Sequence, residues 1–348
     1  MPFLQRLTLA LVAPLCLATA ALAQPVRGQG ATFPSQVYDT WARAFAKAGG
    51  GSVAYKGTGS GDGIKQITAR AVDFGGTDAP LGAAELARNK LVQIPMLVGG
   101  IVPVVNLAGL AAPLQLNGEV LADVFLGRIK LWSDPRIAAL NPGVALPAVP
   151  IKRVVRAEKS GSSDGFSRYL AGVSAAFKAE VGASPAPAWP GEPLKAEGND
   201  GMVQALRATP GGIAYVSYDR VLRDKLGAVK LRNAAGRFVA PSERAFSAAV
   251  LESDMHRQGD DLATLLDRPG GDAWPITLTS FVLVDAEPAT GAKAQGALKF
   301  LYWCFMHGDD LTRGSGFAPL PVSVQSRLAA RFTLVRPKDG QLPAYQTF

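Results

Sequence analysis

Residues 52–70 read SVAYKGTGSGDGIKQITAR, and three signals follow one another along them. Ser52 to Lys56 reads as a strand, Gly57 to Asp62 as a glycine-rich loop, and Gly63 to Arg70 as a helix. The same order recurs on both sides of this stretch. A strand over Val26 to Gln29 runs into Gly30-Ala31-Thr32-Phe33-Pro34 and then a helix over Pro34 to Ala48. Val37, Trp41 and Phe45 lie four apart on one face of that helix, and Gly49 to Gly51 end it. A strand over Ile151 to Arg156 runs into a loop, Ala157 to Ser163, and a helix through Phe166 to Leu170. A helix N-terminus offers unpaired N–H groups and a partial positive charge, so each loop is suited to an anion. Glycine lets the backbone approach closely, and Ser or Thr adds a hydroxyl donor. One such loop alone is accounted for by a capped helix and a tight turn. Three of them, with Arg156 as a bidentate partner for an oxyanion, point to one shared anion.

The rest of the chain continues the alternation, which indicates α/β layers. A strand over Ala71 to Gly75 leads to Thr77-Asp78-Ala79-Pro80, and a helix over Ala83 to Arg88 follows. Leu91 to Leu97 and Ile101 to Leu107 are two apolar runs. Helices are expected over Gly118 to Phe125, Pro135 to Leu140 and Met202 to Arg207, and a strand over Ile213 to Tyr218. An apolar strand over Ile276 to Val284 precedes a long helix, Lys293 to Met306, and another over Val322 to Phe332. The tail after Pro337 reads as loose.

At 348 residues, 48% hydrophobic and 18% charged, the chain has ample material for a core and suggests two domains. Its first 23 residues read as a cleaved signal peptide: Arg6, an apolar run from Leu7, and Ala21-Leu22-Ala23 before Gln24. That makes the mature protein an exported one. The apolar run is shorter than the roughly 20 residues a membrane span needs. Cys304, the one cysteine besides Cys16, can form neither an internal disulfide nor a cysteine-based metal site and reads as a buried hydrophobe. The formal charge is +8, and Arg6 is the leader's only charged residue, so +7 remains without it. Lys and Arg are dispersed rather than clustered, which speaks against nucleic acid and suits a collector of small anions.

The motifs Gly30 to Pro34, Gly59-Ser60 before Gly63 to Ile67, Val72 to Leu81 and Arg156 with Ser160-Gly161-Ser162 occur in order. This order closely resembles the phosphate-binding protein of bacterial phosphate ABC transporters. The likeness continues through Gly198 to Gly201, Pro210 to Tyr215 and Ala273 to Thr277. The resemblance implies a two-lobed periplasmic-binding-protein fold (type II), α/β, with a mixed β-sheet flanked by helices in each lobe and a two-crossover hinge. One lobe would comprise residues 24–103 and 276–348, the other residues 104–275. The implied function is non-enzymatic: a monomer without cofactor or metal that closes on inorganic phosphate and delivers it to transmembrane permease subunits. The implied ligands are Thr32, Phe33, Ser60, Asp78, Arg156, Ser160, Gly161 and Ser162. Glu158, where the family usually has Asp, would hold the Arg156 guanidinium. Asp78 would be the discriminator, accepting the proton of mono- or dihydrogen phosphate and opposing sulfate, acceptor against acceptor. Asp62 stands where the family carries a small neutral residue and is expected to cap a helix starting at Gly63. Lys159, often Gly in the family, would offset it across the cleft.

Two other readings are open. One is a binding protein for another oxyanion or for a phosphorylated metabolite. The second is a serine hydrolase, since Gly161 to Gly165 matches the G-x-S-x-G elbow around Ser163. Four residues separate that elbow from its strand, and only His256 and His307 are present to serve as base. Two histidines also give a metal-dependent phosphatase too few ligands, and no nucleotide-binding glycine motif is present.

Overall fold

The computed structural model describes residues 25–110 and 112–347. The leader expected at residues 1–23 lies outside them. The strands of the first part are β1 (Val26–Gly30), β2 (Val53–Gly57), β3 (Phe74–Thr77), β4 (Leu91–Val105) and β5 (Gln115–Leu116). Next come β6 (Lys152–Arg156), β7 (Leu194–Ala196), β8 (Gly212–Ser217), β9 (Gly227–Ala228), β10 (Lys230–Arg232) and β11 (Phe238–Val239). The last are β12 (Thr277–Asp285) and β13 (Phe317–Pro319). The main sheet runs β2-β1-β3-β12-β4-β8-β6-β7, with β13 and β9 also paired to β4. β5, β10 and β11 form a small separate sheet.

β4 is the shared element. Leu91 to Gly100 pair antiparallel with β12, and Ile101 to Val105 pair antiparallel with β8. The Ile101 N–H donates to Ile276 O at 2.9 Å, just before β12 begins. All fifteen residues of β4 are buried. The sequence suggested two runs parted by Gly99-Gly100, but the strand is continuous. The glycines make room for rings rather than a turn: a Cβ on Gly99 would lie 2.6 Å from Phe317 and 2.8 Å from Phe33, and one on Gly100 2.2 Å from Phe246. Pro95, which has no N–H for the ladder, sits where the β4–β12 register slips between Ser280 and Phe281.

Several boundaries move for physical reasons. The second helix spans Ser60–Thr68, three residues earlier than expected, because Gly59 turns the chain at φ 99° and the small loop residues join the first turn. The helix expected through Phe166 to Leu170 spans Gly161–Val173, capped by Ser160 Oγ on Ser163 N–H at 3.3 Å. Among the described residues the tail after Pro337 has no helix or strand but is anchored: Tyr345 packs against Tyr302 and Phe332, with ring centroids 5.4 and 5.6 Å away.

Beside β2 and β3, Tyr38, Tyr55 and Phe74 pack as a cluster, and Phe74 and Phe45 both meet Phe300. Beside β8, at the other end of the strand order, Phe125, Phe166, Trp189 and Tyr215 pack together. Because β1, β2 and β3 are parallel, the loops after Gly30, Gly57 and Thr77 leave the same edge. Open α/β sheets bind ligands at such carboxyl ends.

Gly63 sets how flat the Ser60–Thr68 helix lies on that sheet. A Cβ there would be 2.6 Å from both Gly30 Cα and Gly76 O, backbone atoms that cannot rotate away. Alanine normally favours a helix over glycine by about 1 kcal/mol. Here overpacking outweighs that gain, and Gly63→Ala should lower stability by about 1–3 kcal/mol. Urea unfolding measures it; a stabilised variant would refute the close packing.

Candidate functional site

Four loops meet at the carboxyl edge of the strands. Arg156 ends β6 with a side chain only 2% exposed. Its Nε donates to Glu158 Oε1 at 2.8 Å, its Nη2 makes a short contact to the same oxygen, and Nη2 also donates to Thr32 Oγ1 at 3.2 Å. Glu158 Oε1 in turn accepts from Gly198 N–H at 3.1 Å, so the pair that orients the guanidinium is itself held. Nη1 of Arg156 has no partner among the described residues.

Ser60 joins two loops. Its Oγ accepts from Asp78 N–H at 3.2 Å and from Gly161 N–H at 3.1 Å. The backbone adds a tie, Gly61 N–H to Lys159 O at 3.4 Å. Asp78 is 4% exposed, and its Oδ1 accepts from Ser280 Oγ at 2.7 Å. Oδ2 accepts from no group among the described residues. The Ser162 hydroxyl is buried with no partner, again among the described residues. Phe33 is fully buried, edge-on to Phe317 at 4.9 Å. The N–H groups of Thr32, Phe33 and Ser162 are bonded to no described residue. An unmade bond in a dry place costs about 1–3 kcal/mol, so a cluster of such groups indicates a ligand with acceptors.

All eight expected ligand positions and Glu158 therefore lie on these four adjoining loops. Gly161 differs from expectation in one respect, for its N–H is directed at Ser60. Asp62 is not a cap: the helix starts before it, and its carboxylate accepts from Gln29 Nε2 at 2.5 Å, Thr58 Oγ1 at 2.6 Å and Gln66 Nε2 at 3.2 Å. Burial opposes its ionisation, but those three bonds, with Lys65 nearby, hold its carboxyl below the ordinary range. Lys159 forms no ion pair with it among the described residues; its side chain is exposed. Ser163, the centre of the elbow motif, bonds to the Tyr215 hydroxyl at 2.7 Å. Among the described residues no group of three or more His, Cys, Asp or Glu could hold a metal ion. Nor is any helix there long and apolar enough to cross a membrane.

Residues 18–306 match the PBP superfamily domain. The phosphate-binding protein PstS of Pasteurella multocida is 38% identical over 322 residues, covering 92% of this chain and 93% of the relative. That of Xylella fastidiosa is 37% identical over 306 residues, covering 88% and 84%. The chain belongs to the PstS family of phosphate-binding proteins. Among solved structures, a high-affinity periplasmic phosphate-binding protein crystallised with phosphate superposes with a TM-score of 0.71 at 23% identity, covering 88% of this chain and 93% of that one. At that identity the likeness bears on the fold, which is a type II periplasmic-binding-protein architecture: a mixed sheet flanked by helices.

Three residues around the site escaped sequence reasoning. Ser280 contacts Asp78 from a strand 202 residues away; its one signal is a hydroxyl in an apolar stretch. Asn199 donates to Thr32 Oγ1 at 3.0 Å, and the Tyr215 hydroxyl accepts from Arg156 N–H at 3.3 Å. Both stand in motifs that carried the family likeness, but nothing in their spacing says what they touch.

Burial pushes the Asp78 carboxyl from 3.8 up to about 7, against the pull of the Ser280 bond and the Arg156 charge. In the unfolded chain the group returns to its ordinary value. Between about pH 4 and about pH 7 the folded state thus holds the extra proton. The stability this group contributes is fully present below about pH 4 and is lost as pH rises through about 7. Compared with Asp78→Asn, the ligand-free parent should therefore lose stability across that window. Urea midpoints at several pH values test this, and parallel profiles for the two proteins would contradict it.

Proposed function

We propose that this protein is the substrate-binding component of a phosphate ABC importer, capturing inorganic phosphate in the hollow beside Asp78. It acts in the periplasm as a monomer and hands its ligand to membrane permease subunits. The observation that supports this most is the pairing of opposites at one point. Donors without a partner among the described residues, the Ser162 hydroxyl among them, and a buried carboxylate whose Oδ2 accepts from no described group lie on adjoining loops that Ser60 ties together. An oxyanion that also carries a proton satisfies both.

In this reading the N–H groups of Thr32, Phe33 and Ser162, the hydroxyls of Thr32, Ser60, Ser160 and Ser162, and Arg156 Nη1 donate to phosphate oxygens. Gly161 contributes through Ser60. Asp78 Oδ2 accepts the phosphate proton. Every oxygen of a buried dianion needs such partners, because water no longer supplies them. Glu158 keeps the guanidinium planar to its target and prevents it from closing on Asp78. The two lobes are residues 24–103 with 276–348, and 104–275. Ligand draws them together through contacts such as Ser60 to Gly161 and Thr32 to Arg156.

Discrimination against sulfate follows from the charge on Asp78. Ionised, it meets fully deprotonated sulfate acceptor against acceptor. Protonated, it becomes a donor that sulfate can use. Since its carboxyl is held up to about 7, sulfate should bind weakly at pH 8 and better at pH 5. Isothermal titration of the ligand-stripped mature protein with phosphate and sulfate at both values measures this. Asp78→Asn should bind sulfate at either pH, and Arg156→Met should weaken phosphate by on the order of a hundredfold, the scale of a lost charged hydrogen bond in a buried site. A parent that binds sulfate and phosphate alike at pH 8 would refute the assignment.

A further inference from the structure

The hydroxyl of Thr32 is already used twice as an acceptor. Its Oγ1 receives Arg156 Nη2 at 3.2 Å and Asn199 Nδ2 at 3.0 Å. Ser60 Oγ is placed the same way, between the N–H groups of Asp78 and Gly161. A hydroxyl has two lone pairs and one proton. With both lone pairs occupied, it can offer a further partner only the proton.

Three of these four donors cannot change sign. A guanidinium and a backbone N–H never accept. Asn199 is the exception, since an amide turned over would present its oxygen to Thr32. That oxygen is committed elsewhere: Oδ1 accepts from the backbone N–H of Ser217 at 3.0 Å. Ser217 closes β8, so the strand end fixes the amide, and the amide fixes the hydroxyl. Asn199 is 1% exposed and sits in the first turn of the Gly198–Arg207 helix, beside the Gly198 N–H that holds Glu158.

We infer that Asn199 is a specificity-determining positioning residue: it holds the Thr32 hydroxyl as an obligatory donor to the bound anion without touching that anion itself. This rests on the phosphate reading given above and extends it. Without Asn199 the Thr32 oxygen regains a free lone pair. It can then turn that lone pair toward a ligand oxygen, where it repels. The competing role for Asn199 is purely structural, holding the end of β8 through Ser217.

A double-mutant cycle separates the two roles. Phosphate affinity is measured by isothermal titration at pH 8 for the parent, Asn199→Ala, Thr32→Val and the double variant. Acting through Thr32, Asn199→Ala should weaken binding about tenfold in the parent, the cost of one buried hydrogen bond. It should weaken binding less than about twofold in the Thr32→Val background. Equal losses in both backgrounds would assign Asn199 to the strand end and overturn the inference. Asn199→Asp provides a second cycle should the alanine variant fail to fold. It keeps an acceptor for the Ser217 N–H while removing the donor to Thr32, and its loss should likewise shrink when Thr32 is Val. An undiminished loss in that cycle, at both low and high salt, overturns the inference as well. A parent that takes up no phosphate would instead overturn the reading of the site before any variant is compared.

Discussion

A carboxylate in a dry place is costly, and Asp78 is one with a single hydrogen bond among the described residues, from Ser280. The neighbouring charges do not simply cancel it. Arg156 is positive, but Glu158 lies on its guanidinium, so that pair leaves no net positive charge to offset Asp78 once it ionises. In the proposed site the anion would meet, besides Arg156 Nη1, chiefly dipoles: hydroxyls, loop N–H groups and the first turns of the Ser60–Thr68 and Gly161–Val173 helices. Such groups carry direction as well as sign. A site built from them recognises where protons sit, which a cluster of lysines would not do.

That direction is inherited from the sheet. The parallel strands β1, β2 and β3 end together, β6 brings Arg156 from the other half of the sheet, and β12 brings Ser280 against Asp78. Ser280 pairs with Leu97 at the edge of the register slip, next to Phe281 and its partner Pro95, where the ladder is already irregular. A residue that cannot donate thus lies beside the place where a side chain is aimed at Asp78. Bulges are commonly found beside such sites. The loops are small and glycine-rich for a related reason: Gly61 and Gly161 lie against Lys159 and Asp78 so closely that a Cβ would intrude at 2.7 Å in either case.

Local signals carried much of this into the sequence. The amphipathic face of Val37, Trp41 and Phe45 is buried as the four-residue spacing indicates, and the helices Gly118–Phe125 and Pro135–Leu140 start and stop where read. The candidate site was legible because its groups sit on loops between a strand and a helix, a pattern contained in some ten residues. Contacts between remote segments were not. Gly99-Gly100 suggests a break only until Phe317, Phe33 and Phe246 are known to press against it. Asp62 resembles a cap until Gln29, thirty-three residues earlier, takes its oxygen. The β5–β10–β11 sheet, of two and three residues per strand, has no periodicity long enough to detect.

The placement of β4 bears on how the chain acquires its shape. Its first ten residues run beside β12, and Leu97 to Gly99 are also paired to β13, both from the final quarter of the sequence. The early strands therefore cannot complete their sheet until the last part of the polypeptide is present. Contacts this distant along the chain make for slow folding, since a large loop must close before any pairing rewards it. A nascent chain of this design stays unpaired for longer than one whose elements pair with their neighbours.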